Sequence, residues 1–405
     1  MAKALGGFQY QRVSISAEVR TELHSRRDQG KAPKASTKGD DRKPLQDLGN
    51  ELRQKNGADH WAKKAVEKAD QSLNGLAVFD GIRNSKELEF LRNAFPNFLL
   101  ITVWCPQKIR FDRVKDEYGG DWAVFEEDDK RDGNEEFEYG QQVQLCVDRA
   151  DIVLRNEESH TPEVAAITYL KNKIEQYILL LTGKEVRPPH HDEVAMAIAY
   201  TSALRSLCLK RTVGASITSV NGVLVSSGYN ENPDPMFPCI KAFGYCYKDA
   251  QLREHIEIMV SRNPECPNKK CKAPLKGLES LHDGFKCNAC NYSLVRAYAP
   301  DRGMSRCTAV HAEMAAVLNA NGEDLRDKVL YTTTFPCAQC ARQIAYVGIK
   351  KVVYVEPYPD PDSERFMREN CKITLQMFEG VKARAYERVF NNVRAQNEKK
   401  YSLPT

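Results

Sequence analysis

The sequence has no apolar run that approaches the roughly 18 residues with which a helix crosses a bilayer. Its best candidate, residues 98–105, is far shorter, and the N-terminus lacks the apolar segment of a secretory signal. The chain also lacks a strong charge bias, because 59 Lys and Arg residues oppose 55 Asp and Glu residues for a net charge of +4. So small a charge argues against a dedicated nucleic-acid-binding protein. We therefore predict a cytoplasmic enzyme that has no membrane partner and acts on something other than nucleic acid.

The composition that remains is that of a globular protein, with 42% hydrophobic and 28% charged residues over 405 positions. At about 100–200 residues per domain, this length favours two domains with separate cores. A stretch with two adjacent prolines, residues 184–191, is typical of a linker. We predict a first domain over residues 1–183, a second over 192–392 with an insertion at 231–306, and a tail over 393–405.

In the first half, short apolar segments alternate with helical patterns, which indicates a parallel α/β sheet. Residues 1–5 are typical of the end of a helix, which Gly6 and Gly7 would stop. A long helix is predicted to open at Thr161 and Pro162 and to end at Gly183. The predicted strands are residues 8–15, 76–79, 98–103 and 152–154.

The second half also mixes strands and helices. A helix is predicted over residues 192–207, and two strands, 213–219 and 223–229, follow it as a hairpin joined by Asn221-Gly222. The insertion shows little periodicity. Beyond it the pattern predicts a helix, a strand, a helix and a strand, over residues 309–320, 328–333, 336–347 and 350–355.

Thirteen cysteines are many for a chain in a reducing compartment, where clustered cysteines usually bind metal. The triplet H-A-E at 311–313 opens one predicted helix, and P-C-A-Q-C at 336–340 opens another. His311, Cys337 and Cys340 supply three ligands, which together with a water form the pattern of a catalytic zinc site. The positive N-terminal ends of both helices favour thiolate over thiol. Glu313 then lies beside the metal as the group that moves protons.

This combination matches the zinc nucleobase-deaminase signature, H-x-E followed by P-C-x-x-C. With V-G-A at 213–215, G-Y-N at 228–230 and T-T-T-F-P at 332–336, residues 192 to about 390 resemble the cytidine and deoxycytidylate deaminase family. The resemblance implies a three-layer α/β/α fold and hydrolysis of the cytosine amino group. In that chemistry zinc lowers the pKa of its water to about 7, and the hydroxide attacks C4 of the ring. Glu313 would protonate N3 and later the leaving ammonia.

The same resemblance suggests substrate contacts beyond the metal. The backbone N–H of Ala312 would hold the carbonyl of the base, and Asn230 would bind the sugar hydroxyl. A turn residue after a strand is the alternative for Asn230, because asparagine favours turns. Tyr354 or Tyr358 could pack near the base or sugar, and we select Tyr358 as the candidate. A tyrosine buried in the core is the alternative for both.

A second metal site is predicted in the insertion from two cysteine pairs. Cys266 and Cys271 form the first pair, and Cys287 and Cys290 form the second. Four thiolates leave no open coordination position, so we predict a structural zinc in a zinc ribbon, which folds an otherwise polar insertion. The expected cofactors are therefore one catalytic and one structural Zn²⁺. A loop with free thiols is one alternative. A second alternative exchanges one ligand for Cys239, Cys246, His255 or Cys307.

The first half resembles nucleotide and dephospho-coenzyme A kinases of the P-loop class. The resemblance rests on S-I-S at 14–16, V-F-D-G at 78–81, R-F-D-R at 110–113 and A-D-I at 150–152. Arg83, Arg110 and Arg113 could hold phosphates, with surface charge as the alternative. However, the motif G-x-x-x-x-G-K-[ST], which cradles phosphates, occurs nowhere in the chain. We therefore expect a kinase-like domain without its phosphate-binding loop, which transfers no phosphoryl group but could bind a second nucleotide.

A kinase-like domain followed by a deoxycytidylate-deaminase domain with a cysteine-rich insertion is similar to the anti-phage dCTP deaminases. The resemblance implies a homo-oligomer that deaminates dCTP, dCMP or both and depletes this pool during infection. Lys210 and Arg211, just before the first deaminase strand, are candidate phosphate contacts. The alternative for this basic pair is a solvated surface.

Three other functions remain open. One is a housekeeping dCMP deaminase of pyrimidine salvage. A deaminase of cytosine or adenine in RNA or single-stranded DNA would need a basic channel with aromatic stacking partners, and the basic residues 267–276 include no aromatic residue. A non-enzymatic nucleotide sensor is the third, but a purely structural metal site needs no carboxylate such as Glu313.

Overall fold

In the computed structural model the chain forms two compact units, one of residues 1–193 together with those from 378 onward, and one of residues 194–377. None of the helices formed by the described residues combines the length and apolar character that a bilayer-spanning helix needs. The described residues are 3–5, 8–31, 42–69, 76–133, 135, 137–157, 163–282, 285–299, 306–356 and 361–390.

The described residues of the first unit form five strands in its N-terminal part and the first eight helices. The strands are β1 (Lys3–Leu5), β2 (Phe8–Ser14), β3 (Leu76–Asp80), β4 (Ile101–Trp104) and β5 (Ile152–Arg155). The helices are α1 (Ile15–Asp28), α2 (Arg42–Asn56), α3 (His60–Lys68), α4 (Ser85–Ala94), α5 (Gln107–Val114), α6 (Trp122–Gly133), α7 (Val143–Asp148) and α8 (Glu163–Leu181).

The chain continues through the second unit and then returns to the first with a short strand, β13. The strands are β6 (Gly214–Thr218), β7 (Leu224–Tyr229), β8 (Leu281–His282), β9 (Lys286–Cys287), β10 (Val329–Thr334), β11 (Lys351–Glu356), β12 (Thr374–Met377) and β13 (Gly380–Val381). The helices are α9 (His191–Ala203), α10 (Cys239–Ala242), α11 (Tyr247–Arg262), α12 (Leu294–Tyr298), α13 (Ala312–Asn319), α14 (Ala338–Tyr346) and α15 (Pro361–Arg365), with a π-helical turn at Phe366–Asn370.

The single parallel sheet predicted for the first half is wrong for the described residues, which form two three-stranded sheets. In one, β2 pairs parallel with β3 and antiparallel with β1; in the other, β5 pairs parallel with β4 and antiparallel with β13. The expected end of a helix at residues 1–5 is also wrong, because Lys3–Leu5 satisfies its backbone by pairing with β2. Neither β1 nor β13 is long enough to show the alternation by which strands are predicted.

The division between the units differs from the predicted end of the second domain at residue 392. From Phe378 onward the chain belongs to the first unit. Val381 and Ala385 are buried there in one apolar cluster with Ile152 and Leu154 of β5. This cluster ties a C-terminal segment to a strand more than 200 positions earlier, which local sequence patterns do not reveal.

The second unit is built on a mixed five-stranded sheet in the order β12-β11-β10-β6-β7. β10, β11 and β12 are parallel, and β6 and β7 form the predicted antiparallel hairpin. Gly222 closes its turn with a φ of +80°, in the region that glycine adopts readily. The sheet is an α/β arrangement of the kind that the deaminase resemblance implies.

Two glycines of the hairpin allow helices to approach both faces of this sheet. A methyl group at Gly214 would lie 1.9 Å from the carbonyl oxygen of Ala199 in α9, and one at Gly228 would lie 2.3 Å from the backbone nitrogen of Ala316 in α13. Gly228 pairs with Ala215, the neighbour of Gly214, so the two glycines face opposite sides of the sheet. Helices α9 and α13 therefore form separate outer layers, and α13 is held directly against β7.

Glu193, in the first turn of α9, is buried with only 1% of its surface exposed. Its carboxylate accepts hydrogen bonds from the guanidinium of Arg187 at 2.7 and 3.0 Å, from the backbone N–H of His190 at 2.7 Å and from that of Val381 at 3.0 Å. Burial alone would raise the pKa of Glu193, but these hydrogen bonds outweigh it and hold the pKa below the usual 4.5. The predicted linker at 184–191 thus supplies a cation to the first unit.

We expect Glu193 to make the first unit sensitive to acid. A carboxyl group with a depressed folded-state pKa stabilises the fold above its unfolded-state pKa, and this stability is lost as the pH falls through the folded-state value. The free energy of unfolding should therefore decline below pH about 4.5, and Glu193→Gln should weaken that decline while lowering stability at pH 7. Tryptophan fluorescence reports on this unit, because all three tryptophans, Trp61, Trp104 and Trp122, lie in it.

The matched control for this experiment is Glu185→Gln, which changes an exposed carboxylate close by in the same segment. It should leave both the acid midpoint and the stability at pH 7 close to those of the unmodified chain. A Glu193→Gln variant that behaves in the same way as this control would contradict the assigned role of Glu193.

Candidate active site

The two metal motifs lie at the N-termini of α13 and α14, as the sequence predicts. His311 is the N-cap residue of α13, Cys337 is the N-cap residue of α14, and Cys340 lies in the first turn of α14. Both helices adjoin β10, whose six residues are all buried in the middle of the sheet. The helix ends are therefore anchored to a rigid element, and their free backbone N–H groups lie close to the motifs.

The structure brings the three predicted metal ligands together. His311 Nδ1 lies 3.4 Å from Cys337 Sγ and 3.3 Å from Cys340 Sγ. In a tetrahedral zinc site, bonds of about 2.1 Å to nitrogen and 2.3 Å to sulfur place these donor atoms roughly 3.6 Å apart. One imidazole and two thiols at nearly this separation fit zinc, and they leave a fourth position for a water.

The two thiols of this group differ in their tendency to ionise. Hydrogen bonds from Cys340 and then from His311 lower the pKa of Cys337 to about 4. The hydrogen bond with Cys337, together with burial, raises the pKa of Cys340 well above the usual 9.0. The two thiols therefore titrate as a coupled pair and not independently. Binding of a divalent cation here requires the group to lose its protons, because the metal ligands are thiolates and a neutral imidazole.

Glu313 follows His311 by two positions and is buried beside the same group. Its side chain is 5% exposed, Oε1 accepts a hydrogen bond from Thr332 Oγ1 at 3.5 Å, and Oε2 accepts one from Cys340 Sγ at 3.6 Å. Burial raises the pKa of Glu313 above its usual 4.5. A carboxyl group shifted in this direction is better matched to exchanging protons near neutral pH than an exposed one.

A cavity of about 310 Å³ opens over these residues, and we call it the active-site cavity. The residues that line it include His311, Ala312, Glu313, Phe335 and Cys337. Ala312 is the first residue of α13, so its backbone N–H has no intrahelical acceptor and is available to a ligand. Phe335 is held edge-to-face by Tyr354, with ring centroids 4.9 Å apart. The volume lies at the lower end of the range for small-molecule sites.

Asn230 lines the same cavity, but its side chain also organises the chain before β6. Its Oδ1 accepts a hydrogen bond from the backbone N–H of Val213 at 2.7 Å, and its Nδ2 donates one to the carbonyl oxygen of Arg211 at 2.9 Å. Each of these amide atoms can form one further hydrogen bond. Asn230 therefore holds the segment 211–213 in place and can still contact a sugar.

Lys210 and Arg211 both line the active-site cavity. Lys210 forms an ion pair with Asp249, and Arg211 forms one with Glu356. Each cation is thus held in position by a carboxylate that partly neutralises it. Tyr354 is 7% exposed and lies behind Phe335, as the core alternative for this residue predicts. Tyr358 lies outside the described residues.

Several residues of the cavity were not singled out from the sequence as parts of this site. Among them are Cys246 and Lys248, which come from the insertion, and Cys307, which precedes the H-x-E motif. Cys307 forms a side-chain hydrogen bond with His311, and this bond lowers the pKa of the Cys307 thiol. The only sequence feature that could have placed Cys307 in this site is its position four residues before His311. For Cys246 and Lys248 no local signal existed, because their position depends on how the insertion folds.

The four cysteines predicted to bind a second metal also lie together, and we call them the four-cysteine cluster. Their sulfur atoms are within 4.8 Å of one another, and those of Cys266 and Cys290 are 3.7 Å apart. Four thiolates around a tetrahedral zinc are about 3.8 Å apart, so the cluster fits this ion. Lys272 and Asn291 each follow the second cysteine of a pair with a positive φ, at 49° and 57°, which turns the backbone around the site.

The alternative ligands considered for this cluster lie elsewhere. His255 Nε2 is 2.9 Å from the carbonyl oxygen of Tyr298, Cys239 Sγ is 3.6 Å from Asn232, and Cys246 and Cys307 line the active-site cavity. The structure therefore groups the cysteines as the sequence pairs them.

Comparison with known proteins connects this geometry to a family. The family model described as "Cytidine and deoxycytidylate deaminase zinc-binding region" matches residues 189–356, which include both metal motifs of the active-site cavity. The deoxycytidylate deaminase of Enterobacteria phage T4 is 30% identical over 170 residues, which cover 40% of this chain and 76% of that protein. The probable deoxycytidylate deaminase of Drosophila melanogaster is 30% identical over 181 residues, 44% of this chain and 64% of that protein.

A third relative is of a different kind. A protein of Archaeoglobus fulgidus described as UPF0200/UPF0201 is 32% identical over 156 residues, 37% of this chain and 47% of that protein. The chain thus spans about half the length of the archaeal relative and just under two thirds of the fly relative. It covers three quarters of the phage enzyme. It also contains the zinc-binding region of the family model, in which Cys337 Sγ and Cys340 Sγ lie within 3.4 Å of His311 Nδ1. The chain therefore belongs to the deoxycytidylate deaminase family of zinc-dependent deaminases.

Proposed function

We propose that this chain hydrolyses the amino group of deoxycytidine nucleotides, dCTP, dCMP or both, to give the deoxyuridine nucleotide and ammonia. The observation that carries the proposal is Glu313, a buried carboxyl group beside a His-Cys-Cys ligand set at the base of a cavity with basic residues in its wall. A site that only stabilised the fold would need neither the cavity nor the carboxyl group, which argues against a nucleotide sensor without catalysis.

The residues divide the chemistry between them. His311, Cys337 and Cys340 would hold the zinc ion, which, when bound, lowers the pKa of a water molecule to about 7. Glu313 takes one proton from the attacking water and delivers it to N3 of the base. It then takes the second proton from the hydroxyl now on C4 and delivers it to the amino group, which leaves as ammonia. The N–H of Ala312 orients the base through its carbonyl oxygen. Asn230 and the positively charged Lys210 and Arg211 then face the sugar and phosphate.

Free nucleotides fit this site better than a polynucleotide. The cavity has the volume of a small-molecule site, and two of its three Lys and Arg residues are paired with carboxylates. The basic stretch at 267–276, the strongest candidate for nucleic-acid contact, contains Cys271 of the four-cysteine cluster and does not line the cavity. A strand of RNA or DNA would need a basic groove with stacking aromatic residues. We therefore place editing of RNA or single-stranded DNA second.

A panel of substrates tests this function. Purified zinc-loaded protein is incubated with deoxycytidine, dCMP, dCTP, CTP, adenosine and a cytosine-containing single strand, and uracil or inosine formation is followed. Turnover of dCMP or dCTP, with the free nucleoside and the strand much poorer, is the expected result. Deamination of the strand alone would transfer the proposal to nucleic-acid editing, and no turnover of any substrate would contradict both.

For the first unit we propose a second nucleotide site without phosphoryl transfer. A cavity of about 490 Å³ lies there at the carboxyl ends of the parallel strands β2 and β3, the position at which α/β sheets bind ligands. Arg20 and Arg83 are among its lining residues, and Arg83 also forms an ion pair with Asp132. Arg110 and Arg113 do not line it; Arg110 pairs with Asp129, and Arg113 donates to Asn156. A nucleotide that raises the unfolding midpoint reported by tryptophan fluorescence would support the site, and ATP hydrolysis by the unit alone would contradict it.

The biological setting is proposed from the domain order. A kinase-like domain joined to a deaminase that lowers the dCTP supply suits defence against phage in the cytoplasm, with salvage of pyrimidines as the alternative. We further propose a homo-oligomer and one structural zinc per chain in the four-cysteine cluster. Phage plaque counts in cells that express the chain, compared with its Glu313→Gln variant, test the defensive role; equal counts would contradict it.

A further inference from the structure

We propose that the insertion is a part of the deaminase site, in which the four-cysteine cluster positions Lys248 to bind the phosphate of the substrate. The inference rests on the proposed function and adds to it a phosphate contact and the means by which it is positioned. It assigns to the insertion a role in substrate binding that its cysteines alone do not indicate.

Lys248 differs from the other two cations of the active-site cavity. Lys210 and Arg211 are each paired with a carboxylate, Asp249 and Glu356. Within the described part of the chain, Lys248 has no carboxylate within ion-pair distance, although it lines the same cavity and is half-buried. An ammonium group without a partner at the wall of a cavity is the one most able to bind an anion. The phosphate is the anionic part of a nucleotide, so it is the part of the substrate that an unpaired ammonium group in this wall would bind.

The side chain is placed by helix α11, which begins at Tyr247. One face of α11 carries Leu252, Ile256 and Val260, which are buried in the same small apolar cluster as Cys266 and Cys287. The buried side chains recur at steps of four, so they form a single stripe along the helix. The core that holds α11 in place is therefore the core that contains two ligands of the four-cysteine cluster.

A second contact holds the same helix. His255 Nε2 lies 2.9 Å from the carbonyl oxygen of Tyr298, at the end of α12, and Leu294 of α12 is buried in the same apolar cluster. Beyond these elements the described residues of the insertion form little regular structure, with β8 and β9 only two residues each. So small a core needs the bound metal to persist, because structural zinc in such sites supplies folding free energy directly. Without it, α11 and Lys248 lose their fixed position.

Lys248→Gln tests the phosphate contact with substrate and product pairs that differ only in the phosphate. We expect KM for dCMP and the inhibition constant of dUMP to rise about tenfold, while kcat and the inhibition constant of deoxyuridine stay within about twofold. Lys248→Arg should restore most of the loss. Lys241→Gln, which changes an exposed lysine of the insertion outside the cavity, is the control and should alter none of these constants.

Cys290→Ser tests the positioning by the four-cysteine cluster. We expect the variant to bind one zinc ion fewer per chain and to show the same selective rise for dCMP and dUMP. Adding Lys248→Gln to it should raise KM no further, because the contact is already lost. A Lys248→Gln enzyme with unchanged dUMP inhibition, or with deoxyuridine inhibition weakened equally, would overturn the proposal. Absence of deamination by the unmodified enzyme would instead refute the proposed function itself.

Discussion

Replacement of Glu313 by glutamine should lower kcat on deoxycytidine nucleotides by about 10²–10⁴-fold, the range that a positioned general acid–base group contributes. Glutamine has nearly the same shape and can still accept the hydrogen bond from Thr332, but it can neither take up nor deliver a proton. Since Glu313 is not one of the three proposed zinc ligands, the metal content should stay unchanged. The loss should therefore appear in kcat, with KM altered little.

The experiment pairs a deaminase assay with measurement of bound zinc. Glu323→Gln is the control, because it removes an exposed carboxylate in the turn just after α13 and leaves the helix intact. It should keep full activity. If Glu313→Gln retained more than a tenth of the activity at full zinc occupancy, another group would have to carry the protons. If it lost its zinc, the residue would belong to the metal site instead.

The sequence predicted the arrangement of the catalytic group because that arrangement is local. His311 and Glu313 lie at the start of one helix, Cys337 and Cys340 at the start of another, and the strand between them makes the two helix ends neighbours. The Asn221-Gly222 hairpin was predictable for the same reason, since a two-residue turn sets its own geometry. Motifs of this kind specify spacing within a few residues and need no knowledge of distant contacts.

The positions that the sequence did not reveal depend on contacts between distant segments. Lys248 reaches the active-site cavity only because α11 packs on the small core around Cys266 and Cys287. Residues from Phe378 onward join the first unit because β13 pairs with β5, more than 200 positions earlier. Helix α11 itself was missed because Leu252, Ile256 and Val260 are interspersed with charged residues in a stretch whose cysteines suggested loops.

The first unit should be destabilised strongly by Arg53→Met, which leaves a buried carboxylate without its cation. Arg53 is 4% exposed, its partner Glu87 is 0% exposed, and Arg53 Nε donates to Glu87 Oε1 at 2.9 Å. The other oxygen of Glu87 accepts the backbone N–H groups of Arg83 and Asn84 at the start of α4, so Glu87 cannot turn towards solvent. Removing one partner of a buried ion pair costs about 3–5 kcal/mol.

Denaturant unfolding followed by tryptophan fluorescence measures this loss in the first unit, where Trp61 is fully buried and its Nε1 donates to the carbonyl oxygen of Gly49 in α2. Lys55→Met, at an exposed position of the same helix, is the control and should shift the midpoint little. The double variant Arg53→Met with Glu87→Gln should recover much of the loss, because the amide is neutral and still accepts both N–H groups. An Arg53→Met variant as stable as the control would show that the Glu87 carboxylate does not depend on this cation. A double variant no more stable than Arg53→Met would show that the loss does not come from the unpaired carboxylate. The single replacement combines two costs, that of an unpaired charge and that of lost packing. The recovery in the double variant measures the first of them separately.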